Sequence, residues 1–215
     1  MIILSGKKQC DIDRIEFQKR IGNYSVIHAD VGTGTGKFIL KSAIKDPGRL
    51  FIGIDSCAEN MHESSVRVVK AFKKKADKNV IYVVSAIENL PQELIGIADS
   101  ISVILPWGSL RNGIVKGEVS ILNNLRALGK VGSSMHIIVG YDEENESNEI
   151  RKNTLPVLSV KHFESLKPLY HENCIFMHSI KKIGNNELKQ IDSDWAKRLA
   201  YGTNREIYYL DCTFI

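Results

Sequence analysis

No stretch of this 215-residue chain approaches the roughly 20 consecutive apolar residues that a membrane span requires. The apolar run that opens "MIILSGKK" is too short for a signal peptide, so a cytoplasmic protein away from any membrane is the expectation. Cysteine is scarce as well. Cys10, Cys57, Cys174 and Cys212 are scattered with no C-x-x-C pair, which suggests neither a zinc site nor a disulfide framework. All four read as buried thiols, and no metal is expected. Neither charge sign dominates: 29 Lys and Arg against 25 Asp and Glu leave a formal +4, so any attraction to a polyanion has to come from where the basic residues sit. Low complexity and internal repeats are absent. What remains, at 43% hydrophobic and 25% charged residues, is the composition of a globular α/β protein, and residues 1–215 read as one domain.

Apolar runs alternate with amphipathic segments, the pattern of βαβ units and a parallel sheet. The candidate strands are "SVIHAD", "LFIGID", "NVIYVVSA", "DSISVIL" and "SSMHIIVGY", with helices predicted near 36–46, 59–76 and 113–128. Residues 1–21 read as an N-terminal extension, a short hairpin and a helix capped by Asp11 or Asp13, placed before the sheet begins. Beyond residue 141 an acidic, polar stretch interrupts the pattern. The segment 142–172 is read as an insertion between strands five and six, with Ser159 capping a helix that runs toward Tyr170. A strand "CIFMHSIKK", helix from about Asn186 to Tyr201 and a last strand "REIYYLDCTF" complete the chain. Within that last helical stretch, Asp192, Ser193 and Asp194 make a poor helix interior and a good helix start, which puts Trp195 in a first turn.

The first strand runs into "HADVGTGTGKF". Its glycines permit a tight strand-to-helix turn and a close approach of backbone amides to a ligand. A P-loop fails here, because Val31 stands five before Gly36 and Phe38 follows Lys37. A dinucleotide fingerprint fails too, because the third glycine comes one residue early. The remaining pattern, D-x-G-x-G-x-G, resembles the first motif of class I S-adenosylmethionine-dependent methyltransferases. Asp55 ends the second strand about twenty residues on, where a carboxylate can hold a ribose diol, and Ala86, Ile87 and Glu88 fall where an adenine ring can rest.

The fourth strand delivers Leu105, Pro106 and Trp107 to the same edge, in "ILPWGS". Enzymes that methylate exocyclic amines often have an Asp or Asn there to orient the nitrogen. Leu105 has no such acceptor, which favours a nucleophile with its own in-plane lone pair, such as a ring nitrogen of a base. That nitrogen needs no general base, so catalysis rests on proximity and orientation. Methylation leaves a flat cation, for which an indole face is a good neighbour, so Trp107 reads as a stacking platform for an extruded base.

Taken together, "HADVGTGTGKF", "FIGID" with "ENM", "ADSISVILPWGSL" and "WAKRLAYG" closely resemble the Kam/Npm aminoglycoside-resistance enzymes, 16S rRNA adenine-1408 N1-methyltransferases, over essentially the whole chain. The resemblance implies a Rossmann-like seven-stranded, mostly parallel sheet with the hairpin before it and a helical linker inserted after strand five. It implies S-adenosyl-L-methionine as cofactor, leaving S-adenosylhomocysteine, bound by Asp30, Gly32, Thr33, Gly34, Asp55, Ala86, Ile87 and Glu88, with Ile104, Leu105, Trp107 and Ser109 beside them. Trp107 and Trp195 would sandwich a flipped adenine, Ser193 would help hold the pocket, and the backbone of Leu105 and Pro106 would line it. The implied partner is the assembled 30S ribosomal subunit, met as a monomer. Arg67, Lys70, Lys74 and Lys78 share one stripe of a helix whose other face carries Val66, Val69 and Phe72, and with Arg198 and Arg205 they are the candidates for contact with rRNA phosphates. Two alternatives stay open: a tRNA guanine-N7 methyltransferase, whose motif usually has an acidic residue before the Trp, and a non-catalytic ribosome-binding protein of the same fold.

Overall fold

In a computed structural model the described residues are 1–71, 79–142, 146–191, 193–201 and 205–215, with the backbone alone for Asp194 and Trp195. Buried aliphatic runs form β3 (Ile27–Val31), β4 (Leu50–Asp55), β5 (Val80–Val84), β6 (Ala98–Ile104) and β7 (Gly129–Tyr141). These five pair in parallel in the spatial order β5-β4-β3-β6-β7. Then β8 (Ile175–Ile183) and β9 (Glu206–Phe214) close that end antiparallel, β9 lying between β7 and β8. The direction of winding reverses between β3 and β6, which makes their carboxyl ends the topological switch point of the sheet.

Two sequence expectations need correction. The hairpin, β1 (Ile2–Ser5) and β2 (Lys8–Asp11), does not stand apart from the sheet but extends it: Ile3 and Leu4 pair antiparallel with Val83 and Tyr82 of β5, giving nine strands among the described residues rather than seven. The helix expected over 113–128 is two helices, α4 (Gly108–Lys116) and α5 (Val119–Leu128). The joint is Gly117, in the left-handed region at φ +70, where its N–H caps the carbonyls of Gly113 and Ile114.

Other local readings hold. Asp13, one of the two proposed caps, accepts the Glu16 amide at the start of α1 (Arg14–Ile21). Ser159 accepts the His162 amide at the start of α7 (Val160–Glu172), and the short α6 (Ser147–Lys152) precedes it in the insertion. The last helical stretch breaks where expected, into α8 (Asn185–Gln190) and α9 (Asp194–Ala200), with Ser193 as cap.

Strand residues alternate between the two faces of the sheet, Phe51 packing with one core and Ile52 with another. The larger core takes α4, α5 and α7, for example through Ile114, Leu122 and Phe163. Against the opposite face lie α2 (Lys37–Lys45) and α3 (Ala58–Ala71), through Ile39, Leu40, Met61 and Val68, and further along it α8 and α9, through Leu188 and Leu199. The buried stripe of α3 is Met61, Ser64, Ser65 and Val68, at i, i+3, i+4 and i+7, rather than Val66 and Val69; Phe72 lies outside the described residues. Ser64 and Ser65 can be buried because their hydroxyls donate to the carbonyls of Thr35 and Leu4. Of the four free cysteines only Cys212 is buried; Cys174 is exposed, and Cys10 and Cys57 are in between.

Candidate active site

At the switch point the carboxyl ends of β3, β4, β5 and β6 open into a cavity of about 760 Å³. Its floor is the glycine loop between β3 and α2. Gly32 and Thr33 donate their amides to the Ile54 carbonyl at 2.9 and 3.0 Å, and the Gly34 amide reaches Oδ2 of Asp55 at 2.8 Å. The other carboxylate oxygen of Asp55 accepts from the Cys57 amide at 2.9 Å. Burial raises the pKa of Asp55, and these two amides oppose the rise. Each oxygen still has a lone pair for a ligand at the cavity wall. The loop turns sharply at Gly36, φ +67, where any Cβ would lie 2.4 Å from the Tyr82 ring. The Tyr82 hydroxyl in turn donates to the Gly36 carbonyl.

Beneath the loop lies a buried polar chain that the sequence did not disclose. Ser102 donates to Oδ1 of Asp30 at 2.5 Å; its single proton being used, it accepts from Nε2 of His28 at 3.0 Å, which leaves Nδ1 to accept from Ser100 at 2.8 Å. Burial pushes the Asp30 carboxyl up to about 6 and holds His28 down at about 4. Asp30, read from the sequence as a cofactor ligand, is 3% exposed and is not among the residues lining the cavity. It supports the loop from below.

The remaining cofactor candidates are brought together. Gly32, Thr33, Gly34 and Asp55 line one wall, Ala86, Ile87 and Glu88 a second, and Ile104, Leu105, Trp107 and Ser109 a third. Leu105 lies in the left-handed region at φ +51, unusual for a side chain of this size, and its amide is held by the Ile138 carbonyl at 2.7 Å. That turn ends β6 and lifts Pro106 and Trp107 to the rim. Trp107 is the N-cap of α4 and about half exposed, so an indole that follows a buried strand is presented at the cavity mouth. Ser193 and Arg198 line the same cavity from the start of α9. Trp195 is in the first turn of α9, and the reading of its side chain lies outside the described residues, as do Lys74 and Lys78.

The basic candidates separate. Arg67 and Lys70 are exposed on α3, Arg67 paired with Glu63 at 2.6 Å. Arg205 is turned inward: it is 17% exposed, and its guanidinium meets Glu146 of the insertion at 2.5 Å. Sequence reasoning also missed Arg111, 2% exposed and bonded to the other oxygen of Glu146 at 2.6 Å. The available signal was a cation one turn after Trp107 and next to the apolar Leu110, Ile114 and Val115, on the face of α4 that the core should take.

A Rossmann-like sheet in the order β5-β4-β3-β6-β7, with a glycine loop after β3 and an acidic end to β4 at the switch point, defines a class I S-adenosylmethionine-dependent methyltransferase. The family model for NpmA, 16S rRNA (adenine(1408)-N(1))-methyltransferase, matches residues 2–213, and the chain belongs to that family. A 16S rRNA (adenine(1408)-N(1))-methyltransferase of Escherichia coli is 38% identical over 210 residues, covering 97% of this chain and 96% of the relative. The Streptoalloteichus tenebrarius enzyme of the same name is 26% identical over 201 residues, 93% of this chain and 92% of its own. Among solved structures, a tryptophan-to-alanine mutant of the Catenulisporales acidiphilia enzyme with cosubstrate SAM superposes with a TM-score of 0.88 at 32% identity, over 100% of this chain and 97% of that one. The 16S rRNA methyltransferase KamB superposes at 0.87 and 25% identity, over 100% and 99%.

Proposed function

We propose that this chain transfers a methyl group from S-adenosylmethionine to N1 of the decoding-site adenine of 16S rRNA in the assembled 30S subunit, and so confers aminoglycoside resistance. It works as a single methyltransferase domain, a monomer in the cytoplasm. The observation that carries the reading is the pairing, in one cavity, of a cofactor cradle with a half-exposed tryptophan that has no carboxylate or amide neighbour in the turn that presents it. The cradle suits the cofactor: Asp55 offers lone pairs to ribose hydroxyls, Ala86 and Ile87 offer an apolar wall to adenine, and the loop amides bring the backbone close.

When bound, the cofactor supplies an electrophilic methyl on a sulfonium. The chain's part is placement. Leu105 and Pro106 shape the passage between cofactor and target. The indole of Trp107 takes one face of an extruded adenine and Trp195 the other, replacing the stacking lost when the base leaves its helix. Held in this way, N1 would present its in-plane lone pair in line with that methyl, and the indole of Trp107 would lie against the adenine ring that takes on the positive charge. Ser193 and Arg198 sit at this mouth, and Arg67 and Lys70 supply charge for rRNA phosphates from α3, with Lys74, outside the described residues, as a further candidate.

The test is primer extension on 16S rRNA after purified small subunits are incubated with the protein and cofactor. A stop at the decoding-site adenine is expected, because N1 methylation blocks pairing. Trp107→Ala and Trp195→Ala are each expected to abolish or nearly abolish the stop while cofactor binding by calorimetry persists, with Phe restoring part of it. A modified guanine, or full activity in either alanine variant, overturns the clamp.

A further inference from the structure

Behind the exposed indole of Trp107 the structure holds a charge cluster assembled from three separate parts of the chain. The guanidinium of Arg111 lies over the Trp107 ring, 5.0 Å from its centroid, and 5.6 Å from the centroid of the buried Tyr141 ring. Arg111 Nη1 donates to Oε2 of Glu146 at 2.6 Å, and Arg205 donates to Oε1 at 2.5 Å. The Asp142 amide reaches Oε1 as well, at 3.2 Å. Tyr141 is fixed at its far end, its hydroxyl donating to the Pro156 carbonyl. Thus α4, the exit of β7 with the insertion, and the residue entering β9 all meet at one guanidinium and one carboxylate.

Stability alone is a poor reason for such a cluster. A buried ion pair seldom outperforms well-packed apolar residues of the same volume, and the neighbours of Arg111 on α4, Leu110, Gly113, Ile114 and Val115, are buried residues with no charge of their own. What arginine adds is geometry: a flat, always charged fork that lies against aromatic faces and accepts a carboxylate at its edge. Trp107 is the N-cap of α4 and Arg111 lies one turn further on, so the side chain folds back over the ring. One indole face is thereby covered by the guanidinium, while Trp107 as a residue is 51% exposed at the cavity mouth.

We infer that Arg111 is a positioning residue for the methyl-transfer reaction: with Tyr141 and Glu146 it pins the Trp107 indole from behind, so that the ring is already oriented when the target base arrives. The inference rests on the reading of Trp107 as the stacking platform. It gives the insertion a specific task, since Glu146 anchors the pin. It also accounts for Arg205, whose guanidinium balances the second oxygen of the same carboxylate.

The test uses Arg111→Met and Arg111→Lys in the full-length protein. Methionine approximates the arginine stem and leaves Glu146 still paired with Arg205, so the carboxylate does not become an isolated buried charge. Lysine keeps the charge and loses the fork. First, with Trp195→Phe in all samples so that Trp107 is the only tryptophan, acrylamide quenching of its fluorescence is expected to rise clearly in Arg111→Met and by less in Arg111→Lys. Second, with both tryptophans present, single-turnover methylation of purified small subunits is expected to slow about tenfold in Arg111→Met, with partial recovery in Arg111→Lys. The half-saturating subunit concentration and the cofactor affinity are expected to change by less than about twofold.

Unchanged quenching overturns the contact. Increased quenching with an unchanged rate, where Trp107→Ala is inactive, overturns the positioning role. Loss of cofactor affinity or of folding in both variants shows a general structural role and overturns it too. Full activity of Trp107→Ala removes the platform reading itself, and the quenching result then identifies that as the point of failure.

Discussion

Two carboxylates that look alike in the sequence divide the work of the loop. Asp55 stands at the cavity and holds the Gly34 and Cys57 amides directly, so Asp55→Ala is expected to weaken S-adenosylmethionine binding by about 1–3 kcal/mol, measured by calorimetry. Asp30 lies under the loop, and its contribution is best read from the pH dependence of stability. With its pKa raised to about 6, the folded state keeps a proton that the unfolded chain has lost above about pH 4, so this group costs stability as pH rises between those values. His28, lowered to about 4, has the opposite sign: below pH 6.5 the unfolded chain takes up a proton that the folded state refuses, so stability is lost on acidification down to about pH 4. The two slopes nearly cancel between pH 4 and 6. Asp30→Asn keeps the acceptor for Ser102 and removes one slope. Urea denaturation of that variant is therefore expected to show stability falling from pH 6.5 to 4 by up to about 3 kcal/mol relative to wild type. A curve parallel to wild type would mean that Asp30 is not linked to folding in this way.

Among the elements, the loop and α2 depend on a single close approach. Gly36 is at φ +67 with its Cα hydrogens against the Tyr82 ring, so Gly36→Ala meets both the left-handed penalty and a clash at 2.4 Å. A loss of about 2–4 kcal/mol is expected in thermal or urea unfolding, together with weaker cofactor binding. A melting curve like that of wild type would show that Tyr82 yields freely. The joint of α4 and α5 teaches the complementary lesson. The run from 113 to 128 has helical periodicity throughout, but Gly117 in the left-handed region stops the first helix, and the backbone before Gly113, read as loop, is already helical from Gly108. Periodicity reports which face is buried, whereas the cap decides where the helix ends. On α3 the same distinction put Arg67 and Lys70 correctly on the outside while misplacing the buried stripe, because serines that bond backbone carbonyls are buried there in place of valines.

For the whole molecule, docking onto the small subunit is expected to be an electrostatic event of a protein with only +4 net charge, carried by local clusters. Subunit binding should fall steeply as salt is added, and the double variant Arg67→Glu, Lys70→Glu should lower the magnitude of the log–log salt slope by about 2 without changing cofactor affinity. An unaltered slope would place the rRNA contact on another face. Much of this architecture was legible beforehand. The alternation of strands and helices, the glycine loop with its acidic partner, the caps at Asp13, Ser159 and Ser193, and the exposed tryptophan after a buried strand are all set by neighbours within a turn or two, where steric rules and hydrogen-bond chemistry act on adjacent residues. Tertiary structure alone decided the rest: that the hairpin joins β5 and widens the sheet, that Asp30 is sealed beneath the loop with His28 and Ser102, and that Arg205 turns to Glu146. Glu146 is separated from Arg111 by 35 positions and from Arg205 by 59. No local pattern encodes such a meeting, because the partner that makes a buried charge tolerable is supplied by the packing of distant segments and exists only once they have come together.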